Sequence, residues 1–122
     1  VSLRMARSGV DLIGVAAFHS ALPLEPPIVK GLMKTAIFVA NGSEDDFLLP
    51  ETVSTFIGNM VSAGADMTYI NLKGIKHSYT NPQADEFKKK FNMSNLAYDK
   101  MADRRTWIAM QRFFDRIFAQ HK

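Results

Sequence analysis

Cysteine is missing from all 122 residues, which excludes disulfides, thiolate metal sites and a cysteine nucleophile within them. No apolar run reaches the ~18 residues that a membrane-spanning helix needs, so no membrane partner is expected. The start lacks a basic, then apolar, then small-residue pattern, so no secretory leader is expected and the chain suits the cytoplasm. Charge is not concentrated either. The formal net charge is +3, and the notable basic clusters are Lys88-Lys89-Lys90 and Arg104-Arg105. A nucleic-acid binder shows a basic stripe interleaved with aromatics, and these clusters read instead as solvated helix faces. No His-x-x-x-His pair supports a zinc site, and no patterned oxygen ligands follow Glu44-Asp45-Asp46 to make a hard-cation site. Internal repeats and low-complexity segments are absent. A last absence matters most: no Gly-x-Ser-x-Gly or Gly-x-Cys-x-Gly elbow occurs anywhere.

What is present reads as one globular domain spanning residues 1–122, with 47% apolar and 22% charged residues. Val1 to Arg7 favours helix, and Ser8-Gly9 stops it. Leu12 to Phe18 is a nearly continuous apolar run, as expected of a strand covered on both faces. A proline-containing loop, His19 to Lys34, leads to a second buried strand, Thr35 to Ala40. Pro50 to Ala63 has helical spacing, with Val53, Phe56, Ile57, Met60 and Val61 on one face. Asp66 to Leu72 alternates like a strand, and Gly74 breaks it. Pro82 to Phe91 reads as a loop with a helical turn. A long helix then runs from Ala97 to Phe118, with a stripe of Trp107, Met110, Phe114, Ile117 and Phe118. Strands alternating with helices imply an α/β fold: a parallel sheet in a three-layer α/β/α arrangement.

Two strand ends carry chemistry. The segment ANGSEDDFLLPE follows the second strand and holds acids; GIKHSYTNP follows the third and holds His77. In a parallel sheet both loops open at the same C-terminal edge. Asp45 could there hold one ring nitrogen of His77 and leave the other free as a base, the orienting half of a nucleophile–His–acid triad. Equally, Asp45 could cap its turn while His77 is an ordinary surface loop residue. His19 ends the first strand and reads as structural, and His121 sits in a fraying tail.

Four segments together, VSLRMARSGVDLIGVAAFHSAL, NGSEDDFLLPE, GIKHSYTNP and ADRRTWIAMQRFFDRIF, resemble the C-terminal half of the dienelactone hydrolase family, in the α/β-hydrolase superfamily. The resemblance runs from Val1 to Phe118 in the family's order. It implies a truncated α/β-hydrolase fold, Asp45 as triad acid (with Asp46 as the neighbouring alternative) and His77 as triad histidine. The implied activity is hydrolysis of small esters or lactones through an acyl-enzyme, with no metal or organic cofactor. By resemblance the elbow with its Cys or Ser would lie before Val1, so little hydrolysis is expected from this chain alone. Two positions depart from the pattern. Ser20 stands where FHG is usual, and Asn81 stands where dienelactone hydrolases proper carry an Arg that recognises a substrate carboxylate. The rival expectation is a non-enzymatic binding or assembly module derived from a hydrolase; a third is a chain completing its site with another subunit. The strand Leu12–Phe18, apolar and free of Lys and Pro, is expected to be an open edge through which the chain forms a homo-oligomer.

Overall fold

The computed structural model describes residues 1–31 and 33–121. Leu32, inside the proline-containing loop, and Lys122 lie outside the described residues. The elements are α1 (Ser2–Arg7), β1 (Gly14–Phe18), β2 (Ala36–Gly42), α2 (Pro50–Ser62), β3 (Met67–Leu72), α3 (Ala84–Lys90) and α4 (Lys100–Gln120). The strands form one parallel sheet in the order β1-β2-β3. Ala16 pairs with Phe38, and Phe38 with Thr68.

β2 lies in the middle and is buried along its whole length. Its side chains alternate between two cores, as strand geometry requires. Ile37 and Val39 meet Leu3 and Ala6 of α1 and Phe56 and Met60 of α2. Ala36, Phe38 and Ala40 meet Phe113 and Ile117 of α4 on the other face. The architecture is therefore α/β with helices on both faces of the sheet. No described helix is long and apolar enough to cross a membrane.

Several boundaries and faces differ from the sequence expectation. β1 starts at Gly14 rather than Leu12, and only Val15 and Ala17 are fully buried. On its other face Ala16 and Phe18 are half-buried against the Phe113 and Ile117 side of α4. Residues 84–90 form a regular helix, with acids in its first turn and lysines in its last, a charge order that suits the helix dipole. α4 begins at Lys100 because Asp99 caps it, its side chain accepting from the Ala102 amide at 2.8 Å. The buried face of α4 is Ala102, Thr106, Phe113 and Ile117. Trp107 is 53% exposed and Phe118 50% exposed, so neither belongs to the core. In α2, Phe56 and Met60 are buried, whereas Val61 is 69% exposed.

The β2 and β3 loops are tied to each other by backbone bonds. The Ser43 amide donates to Leu72 O at 2.8 Å and the Glu44 amide to Ile75 O at 3.0 Å. The Gly74 amide donates to Ser43 Oγ at 2.9 Å, and Gly74 takes φ 76, which suits glycine.

Candidate active site

Asp45 follows the C-terminal end of β2 in a tight turn. Its amide donates to Gly42 O at 3.3 Å, and its carbonyl accepts from the Leu48 amide at 3.0 Å. The side chain is wholly buried. A buried carboxylate needs donors for its lone pairs. Asp45 has two: the Phe47 amide reaches Oδ1 at 3.0 Å, and His77 Nδ1 reaches Oδ2 at 2.7 Å. The second bond has the short length of a charge-assisted contact.

His77 lies just past β3, and its backbone is pinned to the segment before α4. Its amide donates to Asn95 O at 3.2 Å, and its carbonyl accepts from the Ala97 amide at 3.3 Å. The side chain is 24% exposed. Asp45 occupies Nδ1, and Nε2 has no hydrogen-bond partner among the described residues. The imidazole is thus held as the tautomer with its proton on Nδ1 and a basic Nε2. Phe47 packs edge-on against the ring, centroids 4.7 Å apart. Asp46 is exposed and makes no such contact.

His19, expected from the sequence to be structural, belongs to the same cluster. Its ring meets His77 edge-on at 5.2 Å and Tyr79 at 5.8 Å, and Nε2 is hydrogen-bonded to Thr80 Oγ1 at 2.9 Å. Burial first, and the neighbouring His77 second, push the His19 pKa below the usual imidazole value. The available signal was its place immediately after Phe18, at the same sheet edge as the other two loops. Behind the cluster, Tyr79 is fully buried. Its hydroxyl donates to Thr106 Oγ1 at 3.1 Å, and Thr106 donates onward to Ala102 O at 2.8 Å. Asn81 holds a turn instead, its side chain accepting from the Gln83 amide at 3.0 Å. A cavity of about 210 Å³ adjoins Thr80 and is lined by Phe18, Thr80, Asp103 and Trp107. Among the described residues no three His, Asp or Glu side chains converge to hold a metal ion. His121 is remote, capping the end of α4.

Comparison with known proteins agrees with this architecture. A family model described as the dienelactone hydrolase family matches residues 1–118. An uncharacterized protein of Caenorhabditis elegans is 31% identical over 120 residues, covering 97% of this chain and 73% of that protein. A dienelactone-hydrolase-like promiscuous phosphotriesterase from metagenomic libraries superposes with a TM-score of 0.78 at 27% identity, over 93% of this chain. The structure called m3DLH gives a TM-score of 0.82 at 30% identity, again over 93% of this chain. The chain spans less than half the length of these two solved relatives, 46% and 45%.

Proposed function

The chain belongs to the dienelactone hydrolase family, and on that premise we propose that it carries the acid–base half of a hydrolase acting on small esters or lactones. The observation that carries this reading is the 2.7 Å bond from His77 Nδ1 to the buried Asp45, with Nε2 left unpartnered. A nucleophile hydroxyl or thiol would give its proton to His77 Nε2 as its oxygen or sulfur bonds to the substrate carbonyl carbon. Asp45 would stabilise the resulting imidazolium and keep its orientation. His77 would then protonate the departing alkoxide as the ester C–O bond breaks, leaving an acyl-enzyme. Water, giving a proton to His77 as its oxygen bonds to the acyl carbon, would displace the nucleophile, which takes that proton from His77 as its own bond to the acyl carbon breaks and the acid is released. In a lactone the alcohol stays attached to the acyl part, so the ring opens.

The 122 residues contain no Gly-x-Ser-x-Gly or Gly-x-Cys-x-Gly, so the nucleophile in this reading comes from other polypeptide. The cavity beside Thr80 offers an apolar wall for the substrate. The missing elbow also favours a second reading, a binding or assembly module that retains the hydrolase architecture without turnover.

The test has two arms. Alone, the chain should show no His77-dependent hydrolysis of nitrophenyl acetate when compared with His77→Ala. Joined to the elbow-bearing remainder of a solved relative, it should gain turnover that His77→Ala abolishes. A phosphotriester belongs in the substrate panel, because one solved relative is a promiscuous phosphotriesterase. A folded chimera without His77-dependent turnover would favour the module.

A further inference from the structure

We propose that His19 is a positioning residue for His77: through its hydrogen bond to Thr80 it fixes the turn at residues 77–80 and so keeps the His77 ring on Asp45. This rests on the reading of His77 as the proton carrier.

The turn needs holding. Ser78, immediately after His77, sits at φ 61, a left-handed conformation that is uncommon for a residue with a side chain. Such backbone relaxes unless its surroundings over-determine it. The Asn81 amide closes the turn on Ser78 O at 2.9 Å, a local bond that leaves its placement relative to the sheet open. His77 is tied to Asn95 and Ala97 through its backbone and the Tyr79 hydroxyl reaches Ala40 O at 3.3 Å, and Thr80 adds the long-range anchor that comes from the end of β1. Its partner His19 lies 61 residues away in sequence, at the end of a different strand.

His19 is itself fixed to the sheet. Its amide donates to Ala40 O at 2.9 Å, continuing the β1–β2 ladder, and its own φ is 36. Among the described residues, two of the three non-glycine residues with positive φ are therefore His19 and Ser78, and both bear on His77. The ring contacts complete the enclosure. Phe47, from the acid's loop, lies 4.7 Å from the His77 ring and His19 lies 5.2 Å from it. With Nδ1 bonded to Asp45, the ring has one stable placement only while both neighbours stay where they are.

Three substitutions separate positioning from simple core filling. His19→Phe keeps an aromatic ring and removes the bond to Thr80. Thr80→Val keeps the shape and removes the hydroxyl. His19→Gln loses the ring and keeps a side-chain donor within reach. The readouts are the χ1 rotamer of His77, from side-chain couplings in nuclear magnetic resonance, and the water exchange of its Nδ1 proton. The wild-type chain should show one rotamer and slow exchange. His19→Phe and Thr80→Val should each average between rotamers and exchange several-fold faster, and His19→Gln should move back towards wild type. A single rotamer with wild-type exchange in a folded Thr80→Val variant would overturn the proposal, even if His19→Phe failed to fold. Turnover plays no part in these readouts. If a completed enzyme worked without His77 while the variants lost ring order, the positioning would stand and the hydrolase reading would fall.

Discussion

A Cβ built on Gly42 would sit 2.0 Å from the carbonyl oxygen of Ile75. This close approach lets the turn after β2 lie flat against the turn after β3. The obstacle is backbone rather than a flexible side chain tip, so it cannot simply swing away. Gly42→Ala should therefore push the two loops apart and destabilise the fold by about 1–3 kcal/mol or more, the range for overpacking. Urea denaturation checks the stability. A weakened His77–Asp45 contact in the variant's structure checks the cause.

Asp45 and Asp46 are neighbours with opposite environments, one wholly buried and bonded to His77, the other exposed. In the chimera described above, Asp45→Asn should lower kcat by about 10⁴-fold, as expected when a triad histidine loses its tautomer control. Asp46→Asn should leave kcat close to the parent's. Equal losses in both variants would assign the acid elsewhere.

Tyr79 gives a pH prediction. Burial, with Asp103 adding to it against the opposing Thr106 bond, pushes its phenol up to about 12. An unfolded phenol titrates near ~10. Between these values the unfolded chain has released its proton and the folded chain has not. Stability therefore falls as pH rises through that window, by up to about 1.4 kcal/mol per unit. Tyr79→Phe should cost about 1–2 kcal/mol at pH 8, where it removes a buried hydrogen bond. Its deficit should shrink by about 1.4 kcal/mol at pH 11, because the variant lacks the titrating group. Paired urea melts at the two pH values test this, and a constant deficit would contradict it.

Among the described residues β1 is an outer strand, paired on one side only. Ile13 O accepts from the Ala36 amide and the His19 amide donates to Ala40 O, so odd-numbered residues face β2. The amides of Gly14, Ala16 and Phe18 consequently point to the open side. Such an edge templates another strand, and a dimer or larger oligomer is expected through it at micromolar concentration. Val15 is buried against α1, so a charge there would report on folding rather than on the edge. Ala16→Pro is the cleaner probe, since it removes an outward amide. Sedimentation should show an oligomer for the wild type and a monomer for Ala16→Pro; a wild-type monomer would refute the interface.

How far these features are legible in sequence depends on how local their causes are. β2 is legible because a central strand buries every residue, and Thr35 to Ala40 is uninterrupted apolar or near-apolar sequence. The nearness of Asp45 to His77 is legible because both follow parallel strands and open at one edge. The buried face of α4 is not. Counting large apolar residues finds Ile117 but also selects Trp107 and Phe118, and it misses Phe113 and the small Ala102 and Thr106, the last of which bonds the Tyr79 hydroxyl. The tie between His19 and Thr80 is equally hidden, because it depends on where β1 ends relative to a turn 61 residues later. Val61 follows the helical period and still faces water, whereas Phe56 and Met60 of the same helix are buried.

The bonds from Ser43 to Leu72 and from Glu44 to Ile75 also set how the site comes apart. Neither loop can lift from the sheet without breaking the other's backbone bonds, so thermal opening involves both in one event. In deuterium exchange the amides of Ser43, Glu44 and Gly74 should share one opening free energy and one dependence on denaturant, with Asp45 and His77 released in the same fluctuation.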